Sequence, residues 1–188
     1  MLYGNVTNRM REGRNLLNRP VQVGDDATMY MWSDRHCYYV VEVIDANHVK
    51  VKPYHVCADR SKPGGQGHQN WLYFKSANEM NRYLNSVLPD SDLPTDLPED
   101  KPEEWAFRRG KWCGVVRYTP EGLARAMRLS EEHSRNHDGS LVRFYFDGCR
   151  LTDRQYQKVL DGKEVMKYRS LEGKVTFGVR EYYYDWEF

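Results

Sequence analysis

Arginine beside aromatic residues is the combination in this sequence that best predicts a chemical role. A guanidinium can hold a phosphate through two hydrogen bonds at once, and the rings of tyrosine and tryptophan stack on nucleobases with about 1–3 kcal/mol each. The combination occurs in three places, which are the region around Arg35, the region around Arg108, Arg109 and Arg117, and the C-terminal segment around Arg180. It predicts a binding site for a small nucleotide ligand that carries both phosphate and base.

Six residues are the predicted ligand contacts. The phosphate clamps are Arg35, Arg109 and Arg180, and the stacking side chains are Trp71, Trp112 and Tyr183. The glycine-rich stretch from Gly64 to Gly67 is expected to close over the ligand as a lid. A solvated position on a half-buried sheet is the competing interpretation for each arginine, because most surface charges have no specific partner.

Motifs for catalysis, cofactors and metals are absent from the sequence. It has no nucleophile elbow or kinase loop, and neither G-x-x-x-x-G-K-[ST] nor G-x-G-x-x-G occurs. The four cysteines form no C-x-x-C, and the histidine pair His133 and His137 has no H-E-x-x-H. We therefore expect a binding protein without catalytic residues, cofactor or metal.

The charge of the chain is nearly balanced, with 28 basic and 27 acidic residues among 188, which argues against a polybasic nucleic-acid binder. That balance conceals the acidic strap, residues 89–104, which holds four prolines and seven carboxylates against one lysine. Without the strap 27 basic and 20 acidic residues remain, a net charge of +7. The strap could dock over a basic site, although a solvated, extended loop is the simpler expectation.

The compartment expected from the sequence is the cytoplasm. No apolar run approaches the roughly 18 residues of a membrane-spanning helix, and the first residues lack the apolar stretch of a signal peptide. Isolated cysteines agree with a reducing environment.

Apolar periodicity predicts an α+β fold, with a small bent antiparallel sheet or an SH3-like partial barrel and a few short helices. Strands are expected over residues 27–32, 38–44, 49–56, 71–74, 105–108, 111–118, 141–146, 164–169 and 174–179. Ser76 and Glu79 form a capping box that predicts a helix over residues 76–88. Further helices are expected from Thr119 to about His133 and over residues 152–162.

The predicted organisation has four parts. They are a basic N-terminal arm (1–20), a β-rich core (21–118), an inserted helix–hairpin–helix segment (119–170), and a C-terminal strand with an aromatic tail that completes the core (171–188). The arm is expected to be frayed or lightly docked. Five aromatic residues among the last nine would be costly to leave in water, so the tail is expected to dock on the body, on a second subunit or on a ligand. A homo-oligomer is therefore expected.

Several segments resemble a group of small β-rich proteins encoded by phages and prophages. They are Val23-Gly24-Asp25-Asp26-Ala27-Thr28, Ser33-Asp34-Arg35, Val40-Val41-Glu42-Val43-Ile44, and Phe177-Gly178-Val179-Arg180-Glu181-Tyr182-Tyr183-Tyr184-Asp185, with residues 105–112 similar to the middle hairpin of that group. The resemblance covers about half of the chain, and residues 119–170 depart from it as an insertion.

Proteins of this build include anti-defence sponges such as the Thoeris anti-defence proteins. The resemblance implies an immune-evasion protein that binds a cyclic ADP-ribose isomer or a cyclic oligonucleotide without cleaving it. Two alternatives stay open. One is an SH3-like or KOW-like module that contacts nucleic acid or a protein tail, and the other is a virion assembly protein, which the aromatic tail favours.

Overall fold

The computed structural model describes residues 16–31, 33–62, 69–124, 145–146 and 149–184. The chain divides into two compact units. The first unit combines the residues up to 112 with those from 171 onwards, and the second unit is formed by residues 113–170. In the sequence, the second unit therefore interrupts the first.

Antiparallel strands dominate the described part of the chain, and short helices accompany them. The strands are β1 (Asp26–Tyr30), β2 (Arg35–Asp45), β3 (His48–Pro53), β4 (His55–Ala58), β5 (Trp71–Phe74), β6 (Glu103–Arg108), β7 (Lys111–Tyr118), β8 (Tyr145–Phe146), β9 (Cys149–Arg150), β10 (Val165–Ser170) and β11 (Lys174–Phe177), and the helices are α1 (Ala77–Val87) and α2 (Asp153–Leu160). Residues 120–124 are also helical. The predicted α+β class with an antiparallel sheet is confirmed. Within the described residues, no helix is long and apolar enough to cross a membrane.

The first unit is built on an antiparallel sheet with the strand order β6-β3-β2-β1-β11. Its core lies on one face, where the fully buried ring of Trp105 packs with Val40 and Val51. Trp112 contacts Phe107 on β6, with ring centroids 5.6 Å apart, and Phe177 on β11, with centroids 5.0 Å apart. Because three strands lie between β6 and β11 in this order, these contacts require the sheet to curve.

The segment predicted as one strand over residues 49–56 forms two strands in two sheets. β3 ends at Pro53, which has no N–H with which to continue a ladder, and the N–H of Tyr54 donates to the carbonyl of Cys37 at 3.0 Å. β4 then pairs with β5 in a two-stranded sheet. Tyr54 of the connection and Tyr73 of β5 pack with Cys37 and Tyr39 of β2, which alternate with the core residues Tyr38 and Val40 along the strand. The β4–β5 hairpin therefore covers the second face of β2.

Helix α1 confirms the helix predicted over residues 76–88, and Ser76 caps it by accepting the N–H of Glu79 at 3.2 Å. The backbone of the acidic strap docks on this helix, while residues 92–99 stay exposed to solvent, as expected for a solvated loop. Asparagine side chains on one face of α1 bind the strap backbone, with Asn85 bound to Leu93, Asn81 to Pro94 and Asn78 to Leu97 at 2.6–2.9 Å. The spacing of three and four residues aligns the three amides along the helix.

The last described residues of the N-terminal arm are docked on the first unit. The N–H of Leu16 donates to the carbonyl of Phe177 at 3.0 Å, and Leu17 packs against the core. Arg19 makes a bidentate contact with Asp25 at 2.6 and 2.8 Å. This contact raises the pKa of the guanidinium and lowers that of the carboxyl, so both groups stay charged.

The second unit contains the antiparallel pair of β7 and β10, helix α2 and a small apolar core. β7 pairs with β10 from Cys113 opposite Ser170 to Tyr118 opposite Val165, which explains why the unit begins at residue 113 and not at 119, where the insertion was predicted. Helix α2 begins with a capping box formed by Thr152 and Gln155. The core of this unit consists of Val116, Tyr118, Leu123, Leu151, Val159 and Val165.

Several sequence predictions fall outside the described residues. They concern the Gly64–Gly67 lid, most of the helix from Thr119 to His133, the strand before residue 145, the histidine pair, residues 1–15 of the arm and residues 185–188 of the tail.

Candidate functional site

The described part of the tail, residues 178–184, docks on its own chain beside β1 and β2. The hydroxyl of the fully buried Thr28 donates to the carbonyl of Val179 at 2.8 Å and accepts the N–H of Glu181 at 3.1 Å. Arg35 and Tyr183 then form a backbone bridge through reciprocal hydrogen bonds of 2.9 and 3.1 Å. Of the three surfaces considered for the tail, the structure uses the body of the protein.

Arg35 fastens the tail to the sheet. Its Nη1 lies 3.2 Å from Oε2 of Glu181, and the hydroxyl of Tyr30 donates to the same oxygen at 3.2 Å. The ring centroid of Tyr183 lies 5.4 Å from Cζ of Arg35. The Arg35 side chain is only 17% exposed, so its first role in this structure is to hold the tail.

Trp71 contacts the tail through Tyr182. The two rings meet edge to face with centroids 4.8 Å apart. The ring of His36 stacks on Tyr182 with centroids 5.7 Å apart. The N–H of Tyr182 donates to the hydroxyl of Tyr73 at 3.2 Å. The tail thus joins the β4–β5 hairpin to the main sheet, and burial of its ring raises the pKa of Tyr182.

Arg180 lies between two tyrosine rings at the solvent boundary. Its Cζ is 5.3 Å from the ring centroid of Tyr54 and 5.2 Å from that of Tyr73. Its Nε lies 3.8 Å from Oδ2 of Asp26, whose other oxygen accepts the hydroxyl of Tyr54 at 2.7 Å. We call these four residues, Asp26, Tyr54, Tyr73 and Arg180, the tyrosine cage. The Arg180 side chain is 45% exposed, so the guanidinium is the part of the cage that solvent or a ligand can reach.

Burial sets the protonation of the groups in and below the cage. Burial, together with the hydrogen bond to Asp26, raises the pKa of Tyr54 far above its usual range, and burial also raises that of Tyr73. Cys37 packs beneath the rings, and burial raises the pKa of its thiol to about 12. These hydroxyls and this thiol are therefore protonated at neutral pH.

A line of tyrosines continues from the cage towards the strap. The ring of Tyr39 lies 4.9 Å from that of Tyr54, and Nζ of Lys75 lies 5.4 Å from the Tyr39 centroid. Lys52 stands opposite Tyr39 in the β2–β3 register. We call this surface the cation–tyrosine row. Arg180 lies at one end, and Lys75 and Lys52 lie at the other.

Arg109 and Trp112 lie elsewhere in the first unit. Arg109 and Gly110 form the two-residue turn after β6, with φ angles of 51° and 80°. The N–H of Phe107 donates to the carbonyl of Asn47 at 2.7 Å, so this turn neighbours the β2–β3 turn. Arg35 begins β2, at the opposite end of that strand. Trp112 packs on Phe177 at the core, where its ring serves packing.

Of the six predicted contacts, Arg180 and Tyr183 therefore lie in the docked tail, and Arg35 and Trp71 contact it. Sequence reasoning missed Asp26, Tyr54, Tyr73, Tyr39, Lys52 and Lys75. The only local signal for some of them was the alternation of Cys37 and Tyr39 with the core residues of β2, which marks a second packed face.

Comparisons with known proteins assign no family to this arrangement. A scan against protein-family profiles found no match, and searches of curated proteins and of solved structures also found none. The resemblance to phage-encoded proteins stays a prediction. Within the described residues, no group of three or more histidine, cysteine, aspartate or glutamate side chains is placed to hold a metal ion.

Proposed function

We propose that this protein binds and sequesters a nucleotide-derived second messenger, a cyclic ADP-ribose isomer or a cyclic oligonucleotide, without cleaving it. In this proposal it is a phage-type immune-evasion protein that acts in the cytoplasm of the host cell. The observation that carries the proposal is the half-exposed guanidinium of Arg180 between the rings of Tyr54 and Tyr73.

Arg180 is suited to a phosphate because its present ion pair is weak. The 3.8 Å separation from Asp26 exceeds the length of a hydrogen bond, and Asp26 already accepts the hydroxyl of Tyr54. A phosphate oxygen can therefore compete for the guanidinium N–H groups, while the tyrosine rings offer faces and edges to a base or ribose. Arg35, Trp71 and Tyr183 position the tail that carries Arg180.

Binding without turnover agrees with the chemistry of three groups around Arg180, whose carboxylate neighbour Asp26 already accepts the hydroxyl of Tyr54. Tyr54, Tyr73 and Cys37 all have raised pKa values and hold their protons at neutral pH. A protonated phenol or thiol is a weak general base and a weak nucleophile. These groups can donate hydrogen bonds to a ligand and do not activate water.

Calorimetric titration with cyclic di-AMP and with a cyclic ADP-ribose isomer tests the proposal. The Arg180→Gln variant should bind about 10- to 100-fold more weakly, because it loses a charged bidentate hydrogen bond. Arg109→Gln is the matched control, since it removes the same charge at the turn after β6, outside the tyrosine cage, and should keep the wild-type affinity. Equal affinity of wild type and Arg180→Gln would contradict the role of the cage.

The fate of the ligand is the second part of this test. The loaded protein is denatured by heat, and the released small molecule is analysed by mass spectrometry. Recovery of the intact cyclic nucleotide is expected, and recovery of a linear or cleaved product would indicate an enzyme. A native mass spectrum of the same sample reports the subunit number and checks the proposed homo-oligomer.

The curvature of the sheet favours one competing function, an SH3-like or KOW-like module for nucleic acid or a protein tail. The contact between Trp112 and Phe177 across the outer strands is the observation behind it. For single-stranded DNA or RNA, log K should fall by roughly 0.7 per phosphate contact for each decade of salt. No binding of either nucleic acid at low salt would exclude its nucleic-acid form.

A further inference from the structure

The acidic strap places two carboxylates on the cationic end of the cation–tyrosine row. Oε2 of Glu99 lies 3.1 Å from Nζ of Lys52, and Oδ2 of Asp100 lies 2.5 Å from Nε2 of His55. The contact with Glu99 raises the pKa of Lys52, so the lysine is a cation. The strap therefore presents anions to the same surface that Arg180 opens at its other end.

The two carboxylates belong to a short segment between two anchors. Before them, Asn78 of α1 exchanges two hydrogen bonds with the backbone of Leu97 at 2.8 and 2.9 Å. After them, β6 begins at Glu103 and pairs with β3. Between these anchors, residues 98–102 are held by the side-chain contacts of Glu99 and Asp100.

The pair between Lys52 and Glu99 is open to competition. The Glu99 side chain is 80% exposed, whereas that of Lys52 is 19% exposed. Exposed ion pairs contribute little to stability and are weakened by competing ions. An anion that displaces Glu99 would bind a lysine whose side chain is already mostly buried and therefore ordered.

The position of Lys52 relates it to the cage. Lys52 stands opposite Tyr39, the Tyr39 ring contacts Tyr54, and Tyr54 contacts Arg180 at 5.3 Å. Cations thus stand at both ends of a row only two tyrosine rings long. This spacing suits a ligand that carries two separated phosphate groups.

We propose that Lys52 and His55 form a second anion subsite, which the strap carboxylates Glu99 and Asp100 occupy in this structure. This inference rests on the proposed function and specifies its ligand class. The ligand is a nucleotide with at least two phosphates, one of which binds Arg180 while the other displaces Glu99 from Lys52. The strap is then an internal competitor that lowers the affinity for every anion that reaches Lys52.

Charge-matched variants of the strap provide the test. Glu99→Gln removes the competing carboxylate and should tighten the binding of cyclic di-AMP about threefold, as expected for loss of one exposed ion pair. Asp96→Asn removes one negative charge from the same strap but lies outside the two ion pairs with Lys52 and His55. It should leave the affinity within error of the wild type. Calorimetry at low salt measures both, and inorganic pyrophosphate is titrated as a second probe.

The outcomes separate the subsite from the proposed function. If cyclic di-AMP binds and Glu99→Gln alone tightens it, both stand. If it binds and the two variants behave alike, the subsite is wrong and the proposed function stands. If pyrophosphate binds and Glu99→Gln tightens it, but neither cyclic di-AMP nor the cyclic ADP-ribose isomer binds, the subsite stands and the nucleotide function fails. If none of these three ligands binds the wild type or Glu99→Gln, both are overturned.

Discussion

The two faces of β2 are packed by different chemistry. One face carries Tyr38 and Val40, which pack with the buried Trp105 and the valines of β3. The other face carries Cys37 and Tyr39, which pack with Tyr54 and Tyr73 from the β4–β5 region. Alternation along a single strand therefore separates an apolar core from a layer of phenols.

The difference shows that the high aromatic content serves two purposes. On the core face the rings supply buried area, and the indole N–H of Trp105 is satisfied locally by Glu103 at 3.0 Å. On the second face the hydroxyl of Tyr39 donates to the backbone carbonyl of Lys75 and that of Tyr54 to Asp26, and the cations of Lys75 and Arg180 lie over the two rings. We expect the first face to determine stability and the second face to determine binding.

The largest expected effect comes from the core face. Trp105→Ala should lower the free energy of unfolding by about 3–5 kcal/mol, because the cavity left by a fully buried indole cannot collapse completely. Urea denaturation followed by circular dichroism measures the loss. A smaller loss than that caused by Tyr54→Phe would reverse the assignment of the two faces.

Alkaline pH should lower the free energy of unfolding through the buried groups on the second face of β2. The thiol of Cys37 has a pKa of about 12 in the folded protein and about 8.5 in an unfolded chain, so above pH 9 the unfolded state releases this proton first. The native state then binds more protons, and stability falls as pH rises from 9 towards 12, by up to about 1.4 kcal/mol per pH unit for this group. The raised pKa of Tyr54 acts in the same direction.

The Cys37→Ala variant identifies the thiol's share of that slope. Its free energy of unfolding should fall less steeply than that of the wild type between pH 9 and 11, as measured by urea titrations at each pH. Between pH 6 and 8 the two proteins should differ by a constant offset only. Parallel slopes above pH 9 would show that Cys37 does not carry the effect.

Tyr54→Phe should have a moderate effect. It removes the 2.7 Å hydrogen bond to Asp26 and should lower the free energy of unfolding by about 1.5 kcal/mol, the low end of the range for a bond to a charged acceptor. Combining it with Asp26→Asn in a double-mutant cycle isolates the interaction, and we expect a coupling of at least about 0.5 kcal/mol. Additive losses would show that the two side chains do not act as a pair.

The smallest expected effect on stability is that of Arg180→Gln. Its guanidinium is half exposed, and cation–π contacts at such sites contribute about 0.5–1 kcal/mol. Thermal unfolding should therefore change little in this variant, although its ligand binding is expected to be strongly reduced. A stability loss above about 2 kcal/mol would assign Arg180 to the scaffold and not to the ligand.

Local patterns predicted much of the fold. The capping box at Ser76 and Glu79 predicted α1, and alternation predicted most strands of the first unit, because these signals depend on neighbouring residues. The break at Pro53 was missed, since proline is tolerated at a strand end and the change of sheet depends on the distant β5. The contact between the strap and α1 was missed because the charged side chains of the strap predicted only exposure to solvent, whereas the contact joins its backbone to asparagines of the helix.

The site was less accessible to sequence reasoning than the fold. The pattern of arginine beside an aromatic residue selected Arg180, which lies in a cation–aromatic cluster, and equally selected Arg109, which forms a turn. The glycine after Arg109 was a signal for that turn. The partners of Arg180, by contrast, lie more than 100 residues before it in the sequence, and no short motif relates them.

The pairing of β1 with β11 has a consequence for synthesis on the ribosome. Ala27 pairs with Phe177, and the buried hydroxyl of Thr28 donates to the carbonyl of Val179, which is synthesised 151 residues later. At about 5–20 residues per second, the nascent chain spends several seconds with β1 unpaired on that side and without the arginine of the cage. A truncated transcript that ends before the codon for Arg180 would therefore yield a protein without the cation of the cage.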